Sequence, residues 1–165
     1  MPRAPATATA VQAPAAANAD AWLALDRQLC FALYSASLAM TKVYKPLLAP
    51  LGLTYPQYLV MLALWEEDGQ AVGGLGDKLA LDSGTLTPLL KRLQTHGVLT
   101  RERDALDERR VIVHLTPAGR RLKTQARSVP VAIARATGCD IAGVGELTRQ
   151  LAEVRDALAR ALPAA

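Results

Sequence analysis

Apolar residues recur at helical spacing along most of the chain, and this pattern predicts a mainly α-helical fold. The first run predicts one long helix from about residue 21 to 48, marked by Leu25, Leu29, Leu33, Met40 and Leu47. After it, Thr54 and Gln57 resemble a capping box that opens a second helix ending near Glu67. A last helix carries apolar residues at alternating steps of four and three, typical of a coiled-coil seam, at Leu147, Leu151, Val154, Leu158 and Ala161.

Residues 72–97 predict two short helices around a tight turn. A Gly73-Gly74 breaker precedes the first helix, and residues 81–84 form the turn. The second helix, about residues 84–96, has an apolar face at steps of three and four, formed by Leu86, Leu89, Leu90 and Leu93. Pro88 leaves the start of this helix open by a few residues. The arrangement indicates a helix-turn-helix.

The opposite face of that second helix is polar and carries Ser83, Thr85, Thr87, Lys91, Arg92 and Gln94. Hydroxyls and cations suit phosphates and base edges in a major groove. A solvated surface is the ordinary alternative for such a face.

A β-hairpin is predicted directly after the helix-turn-helix. Residues 98–103 and 110–115 form its strands, and the charged residues 104–109 form its tip. The segment therefore predicts a winged helix. Thr116-Pro117 then begins another helix, which Pro130 interrupts or kinks.

Charge strengthens the interpretation of this segment. The chain has 19 Lys and Arg against 15 Asp and Glu, and residues 72–127 alone hold 11 basic and 6 acidic residues. A basic surface confined to one third of the chain favours a polyanionic partner, and double-stranded DNA fits the helix-turn-helix beside it.

The domain organisation follows from composition and helix order. Residues 1–20 hold nine Ala and three Pro, which predicts a disordered tail. Residues 21–165 form a single domain, with the winged helix-turn-helix at about 55–116. Helices at about 21–50 and 117–162, one region from each end of the chain, are expected to form the dimerisation region of a homodimer.

Several classes of function are disfavoured. Cys30 and Cys139 form no CxxC motif, and His96 and His114 lie outside any zinc-ligand spacing, so neither a metal site nor a cofactor is expected. No apolar run reaches the roughly 18 to 20 residues of a membrane span. Sparse thiols fit a reducing compartment, and a cytoplasmic protein without membrane contact is expected.

Specific motifs resemble the MarR family of dimeric repressors. Residues 107–116 are similar to its wing signature DxRxxxxxLT. Four further segments closely resemble the OhrR branch, the organic-hydroperoxide sensors: residues 25–34, 40–48, 53–58 and 81–88. The resemblance covers about residues 22–162 and implies a repressor that releases its operator, an inverted repeat, when an organic hydroperoxide oxidises it.

The resemblance also implies roles for individual residues. Cys30 is the peroxidatic cysteine, and Tyr44 and Tyr55 hydrogen-bond its sulfur. Tyr34 lies four residues after Cys30 on the same helix face and is expected to help stabilise the thiolate, which Arg27 favours and Asp26 opposes. Along one straight helix, Tyr44 lies about 21 Å from Cys30, so the tyrosine must come from an antiparallel partner helix.

Two more sets of roles follow from the family positions. Cys139 is the resolving cysteine, which joins Cys30 of the other subunit in a disulfide. In the DNA-binding segment, Arg92 contacts phosphate or a base edge, Asp82 orients it, and Arg109, next to Arg110, enters the minor groove or holds the backbone.

Two alternatives remain open at this point. A repressor of the same family that is relieved by a small aromatic ligand needs neither cysteine. A thiol peroxidase is the enzyme alternative, although no catalytic base is visible near Cys30 and a wing has no purpose in such an enzyme.

Overall fold

The computed structural model describes residues 20–161, so the predicted tail, apart from Asp20, and residues 162–165 lie outside it. The described chain is mainly helical with one small antiparallel sheet, which confirms the predicted fold class. Its elements, in order, are α1 (Leu29–Leu48), α2 (Tyr55–Glu66), β1 (Gln70–Ala71), α3 (Val72–Leu79), α4 (Ser83–Thr95), β2 (Leu99–Arg103), β3 (Val111–Leu115), α5 (Pro117–Ala126), α6 (Ser128–Thr137) and α7 (Ile141–Ala161).

Residues up to Met40 form one compact unit, and its N-terminal part corrects the prediction of a helix from residue 21. Two 3-10 turns, Asp20–Trp22 and Leu25–Arg27, precede α1. Gln28 is extended, and its side-chain amide donates to the carbonyl oxygens of Trp22 and Ala24, which satisfies the turns locally. Cys30 is therefore the second residue of α1, and Asp26 and Arg27 do not share its helix face.

The second unit begins at Thr41 and contains the hydrophobic core. Helix α2 supplies Val60, Met61 and Leu64 to this core, each at most 1% exposed. The capping box is present, because the Thr54 backbone N–H donates to Gln57 Oε1 at 2.8 Å. Other fully buried side chains come from α3, α4 and the sheet: Leu75, Leu86, Leu90, Leu93, Leu99 and Val113.

Helices α3 and α4 form the predicted helix-turn-helix, with one difference. Gly73 and Gly74 lie inside α3, so the prediction that they break the chain before the helix was wrong. A Cβ at either glycine would meet nothing within 4 Å, and neither glycine has a positive φ. The helix therefore continues through both positions. At Gly76, by contrast, a Cβ would lie 2.9 Å from the Leu81 carbonyl oxygen, which is why α3 and the turn approach so closely.

The turn itself fixes where α4 begins. Ala80 adopts a left-handed conformation with φ 52°, unusual for a residue with a side chain. Asp82 then caps α4, so the helix starts at Ser83 and Pro88 is its sixth residue. The buried Leu face holds α4 together past the missing N–H of Pro88.

The sheet has the strand order β1-β3-β2, and all pairs are antiparallel. Strands β2 and β3 form the predicted hairpin, with Leu99 opposite Leu115 and Arg103 opposite Val111. Strand β1 was not predicted, because two residues carry no alternation from which a strand could be recognised. It places β3 at the centre of the sheet, so Ile112 and Val113 are paired on both sides.

Helix α5 begins at the predicted Thr116 cap. The Gly119 backbone N–H donates to Thr116 Oγ1 at 3.1 Å at the start of α5. Pro130 does mark an interruption, because α5 ends at Ala126 and Pro130 falls in the first turn of α6, where a proline is tolerated.

A polar network ties α5 to α2 and to the sheet. Arg120 donates to Asp68 Oδ2 at 2.7 Å and to the Leu115 carbonyl oxygen at 2.8 Å. Asp68 Oδ1 accepts from the Leu115 backbone N–H at 2.8 Å. The Trp65 indole N–H, buried in the protein, donates to the Gly119 carbonyl oxygen at 2.9 Å.

Among residues 20–161, no single helix is long and apolar enough to cross a bilayer. One pair of helical segments, residues 29–51 and 55–66, satisfies length and composition only when taken together, and the pair is bent by 67°.

Candidate nucleic-acid interface and sensor residues

Helix α4 separates its side chains cleanly into a buried and an exposed face. Its four leucines are at most 9% exposed and pack in the core. The residues predicted to contact DNA from this helix are all exposed: Ser83, Thr85, Thr87, Lys91 and Arg92. The burial of the leucine face is therefore what presents the hydroxyls and cations to solvent.

Asp82 acts at the start of α4 rather than on Arg92. Its carboxylate accepts from the Thr85 hydroxyl at 2.8 Å and from the Thr85 backbone N–H at 2.9 Å. The hydrogen bond from the Thr85 side chain is the main reason that the pKa of Asp82 lies below its usual value. Within the described chain no ion pair joins Asp82 to Arg92, so the structure brings Asp82 and Thr85 together instead.

The tip of the hairpin is organised by two acid–base pairs. Arg109 Nε donates to Asp107 Oδ1 at 3.1 Å, and Arg110 lies 3.7 Å from Asp104. The side chain of Arg109 nevertheless remains 92% exposed. The predicted wing arginine is thus oriented by its neighbour while its guanidinium stays accessible.

A cleft of about 920 Å³ lies between the helix-turn-helix and the hairpin. It brings predicted residues of both elements together: Asp82, Ser83 and Thr87 on one side, and Arg109 and Arg110 on the other. Lys91 and Arg92 instead border a second, shallower groove beside Pro88. The predicted nucleic-acid residues that line a groove are thus divided between the cleft and this second groove.

Arg101 is a member of this cleft that sequence reasoning missed. Its Nε donates to Gln94 Oε1 at 2.7 Å, which ties strand β2 to the end of α4. The available signal was the spacing of Arg101 and Arg103, because residues two apart on a strand lie on the same face.

The tyrosines predicted to hydrogen-bond the reactive sulfur lie together. The ring centroids of Tyr44 and Tyr55 are 4.7 Å apart, and Tyr58 joins them at 5.9 Å from Tyr44. Burial, and then the neighbouring Tyr55 and Tyr58, raise the pKa of Tyr44 to about 12. Burial likewise raises the pKa of Tyr58. Tyr44 and Tyr58 therefore stay protonated near neutral pH and can act as hydrogen-bond donors.

Tyr58 was not among the predicted residues. Its signal was the spacing to Tyr55, because residues three apart on a helix share a face.

Both cysteines are free and exposed. Tyr34, on the same helix as Cys30, is also exposed, at 62%. Cys139 follows α6 and borders a cavity of about 700 Å³ whose lining includes Val131, Ala134 and Arg135. Each thiol is therefore accessible to a reagent or to another chain.

Metal-binding chemistry finds no support in the part of the chain that the structure describes. No three His, Cys, Asp or Glu side chains in residues 20–161 are grouped so that they could hold an ion.

Comparison with known proteins identifies the family. The family model described as "Transcriptional regulator SarA/Rot" matches residues 42–126. The HTH-type transcriptional regulator TtmR of Methylorubrum extorquens is 51% identical over 146 residues, which cover 86% of this chain and 75% of that protein. The organic hydroperoxide resistance transcriptional regulator of Bacillus subtilis is 53% identical over 106 residues, covering 64% and 72%.

The solved structures agree. Reduced AbfR bound to DNA has a TM-score of 0.70 and 34% identity, covering 85% of this chain and 97% of that one. AbfR, from Staphylococcus epidermidis, has also been solved overoxidised on DNA and with a disulfide formed. The winged helix-turn-helix prediction is thereby confirmed. The chain belongs to the SarA/MarR-type winged-helix family of DNA-binding transcriptional regulators.

Proposed function

We propose that this regulator is a repressor that leaves its operator when an organic hydroperoxide oxidises Cys30. The observation that carries the proposal is the pairing of Tyr44 with Tyr55, whose rings lie 4.7 Å apart. Similarity to an organic hydroperoxide resistance regulator over 106 residues supports the same conclusion.

Phenol hydroxyls suit the chemistry of a sulfur sensor. With its pKa raised to about 12, Tyr44 keeps its proton and donates a hydrogen bond to an anionic sulfur. A hydrogen bond to a charged group is worth about 1.5 to 3 kcal/mol. Two such donors lower the free energy of the thiolate relative to the thiol, and the thiolate is the form that attacks a peroxide.

A two-fold dimer is the assembly in which the two halves of the sensor meet. Helix α1 exposes Phe31, Tyr34 and Leu38 on one face, and α7 exposes Leu147, Leu151 and Leu158. Contiguous apolar stripes of this kind are typical of surfaces that another helix covers. Tyr44 and Tyr55 of one subunit then face Cys30 of the other.

The peroxide is the only oxidant that the proposed oxidation of Cys30 requires. The Cys30 thiolate attacks one peroxide oxygen, the O–O bond breaks, and an alcohol leaves after taking a proton, so that the sulfur becomes a sulfenic acid. The Cys139 thiol of the other subunit then displaces water from that sulfur, and the intersubunit disulfide forms. The two tyrosine hydrogen bonds are exchanged for a covalent link between subunits.

On DNA, the exposed face of α4 enters the major groove and the wing lies beside it. The dimer places its two α4 helices in successive grooves of an inverted repeat, about 10 base pairs apart. Ser83, Thr85 and Thr87 face base edges or phosphates together with Lys91 and Arg92, while Arg109 reaches the minor groove and Arg110 the backbone. A disulfide that shifts the subunits changes the distance between the α4 helices, and the grooves are no longer matched.

The test is a gel shift with DNA selected by the wild-type protein, repeated with cumene hydroperoxide and with hydrogen peroxide. Wild type should release DNA and form a covalent dimer on a non-reducing gel. Cys30→Ser should bind DNA equally well and ignore both oxidants. Cys139→Ser should gain oxygen at Cys30, measured by mass spectrometry, without forming the covalent dimer.

Two outcomes would contradict the proposal. If wild type treated with peroxide leaves DNA while both thiols stay free, cysteine oxidation is not the cause of release. A covalent dimer that persists in Cys139→Ser would remove the assigned partner of Cys30.

A second candidate function is supported by a groove of about 580 Å³ between α2 and α5. Its floor includes Leu59, Leu62 and Leu79, and Lys123 and Arg127 border it. An aromatic carboxylic acid fits this combination of apolar floor and cationic rim. Adding salicylate to the gel shift separates the candidates, because release by salicylate without oxidant would favour ligand control.

The peroxidase alternative is tested in the same preparation. A thiol reductant regenerates Cys30 in either case, so the rate is what discriminates. An enzyme should consume peroxide through many turnovers, faster than the direct reaction of peroxide with the reductant, whereas a regulator should add little to that direct reaction.

A further inference from the structure

The apex of the hairpin between β2 and β3 presents an apolar side chain to solvent. Leu106 is 97% exposed, more than any other exposed large apolar side chain in the described chain. The others lie on α-helices or at residues 22–25 before α1. Leu106 instead lies in the hairpin loop, close in sequence to Arg109 and Arg110 of the cleft. An interface between helices therefore does not explain its exposure.

Hydrogen bonds fix the backbone of this apex. The Leu106 backbone N–H donates to Asp104 Oδ1 at 2.9 Å. The Asp104 and Arg110 backbones close the loop, because Asp104 N–H donates to the Arg110 carbonyl and Arg110 N–H donates to the Asp107 carbonyl, both at 2.9 Å. Leu106 is thus held out before any partner arrives, so little ordering remains to oppose binding.

The charges around Leu106 permit a polyanion to approach. Asp104 pairs with Arg110, and Asp107 accepts from Arg109, so two of the three carboxylates at the tip are compensated by neighbours. The guanidinium of Arg109 stays exposed beside them. An apolar group flanked by accessible arginine is the combination with which proteins enter the minor groove.

We propose that Leu106 is a specificity-determining residue that packs into the DNA minor groove beside Arg109, against the deoxyribose walls. The inference rests on the proposed docking of the wing on DNA and extends it. Contact with the sugars displaces water but releases no counterions, so its contribution to affinity is independent of salt. Such a contact favours the narrow minor groove of A·T-rich DNA and disfavours the guanine amino group.

The test measures fluorescence anisotropy of DNA selected from a random library by the wild-type protein, over a series of salt concentrations. Leu106→Ser should weaken binding about tenfold, from partial burial of a Leu side chain, with an unchanged slope of log affinity against log salt. Leu106→Met should restore most of that loss. Arg109→Ala should also weaken binding, but with a slope smaller by about 1.

A second arm places the contact in the groove. Replacing A·T pairs under the wing by G·C should weaken wild type, replacing them by inosine·C should not, and Leu106→Ser should lose less affinity than wild type when G·C is introduced. Equal affinity of Leu106→Ser and wild type overturns the inference, as does a loss that carries a smaller salt slope. Wild type that selects no DNA overturns the proposed function itself.

Discussion

At the scale of single residues, the tyrosines show how burial prepares a hydrogen-bond donor. Tyr44 is packed between Tyr55 and Tyr58, and desolvation of its phenol raises the pKa above the ordinary value. Because the neutral form is favoured, the proton needed to bind an anion is retained across the physiological range.

The raised pKa of Tyr44 predicts a pH dependence. A spectrophotometric titration of tyrosinate should show one phenol ionising near pH 12, later than an ordinary tyrosine near 10. Since the folded chain holds this proton more tightly than the unfolded chain, the stabilisation is complete below about pH 10 and is lost as the pH rises through 12. The late ionisation should disappear in Tyr44→Phe.

Tyr34→Phe is the matched control, because Tyr34 is largely exposed. It should remove a phenol from the titration without removing the ionisation near pH 12. If Tyr44→Phe instead loses an ordinary tyrosine and the late ionisation persists, the packing described for Tyr44 is incorrect.

At the scale of elements, the helix-turn-helix depends on the close approach of α3 to the turn. Gly76→Ala would place a Cβ 2.9 Å from the Leu81 carbonyl oxygen, so the turn before α4 has to shift. We expect a loss of about 1 to 3 kcal/mol in the free energy of unfolding, measured by urea denaturation, and weaker DNA binding.

Gly74→Ala is the control for this change, because it lies in the same helix with open space around it. It should leave the protein as stable or add up to about 1 kcal/mol through helix propensity. Equal destabilisation by both substitutions would show that the contact with the Leu81 carbonyl oxygen is not the cause of the loss.

The same elements show how far the sequence leads. The leucines of α4 predict the helix, its buried face and therefore its exposed cations, because a 3.6-residue period leaves only one face free. The cleft could not be predicted, since it depends on how the hairpin, with Arg101 and Arg109, is placed beside α3 and α4. The predicted start of the first helix was wrong. Leu25 fits the helical period, but the Gln28 side chain donates to the Trp22 and Ala24 carbonyl oxygens, so these residues form 3-10 turns instead.

At the scale of the whole second unit, the connection between α5 and the DNA-binding elements passes through Asp68. Asp68→Ala removes the acceptor of the Leu115 backbone N–H and the partner of Arg120 together. We expect unfolding to become easier by about 1 to 3 kcal/mol, because a part-buried donor loses its partner. Urea denaturation measures the loss.

Glu66→Gln is the comparison for this change. It weakens the exposed ion pair with Lys78, and exposed pairs contribute little to stability because water and salt screen them. A larger effect at Glu66 than at Asp68 would contradict the assignment of Asp68 as the link between α5 and the sheet.

The indole of Trp65 gives the junction of α2 and α5 an optical property. The chain has two tryptophans, and they differ in surroundings: Trp65 is 8% exposed and bonded to the Gly119 carbonyl, whereas Trp22 is 57% exposed. Emission from a sheltered indole lies at shorter wavelength than emission from a hydrated one. A Trp22→Phe protein therefore has one tryptophan, Trp65, at the contact between α2 and α5. Any rearrangement of that contact changes the wavelength and intensity of its emission, so no added label is needed.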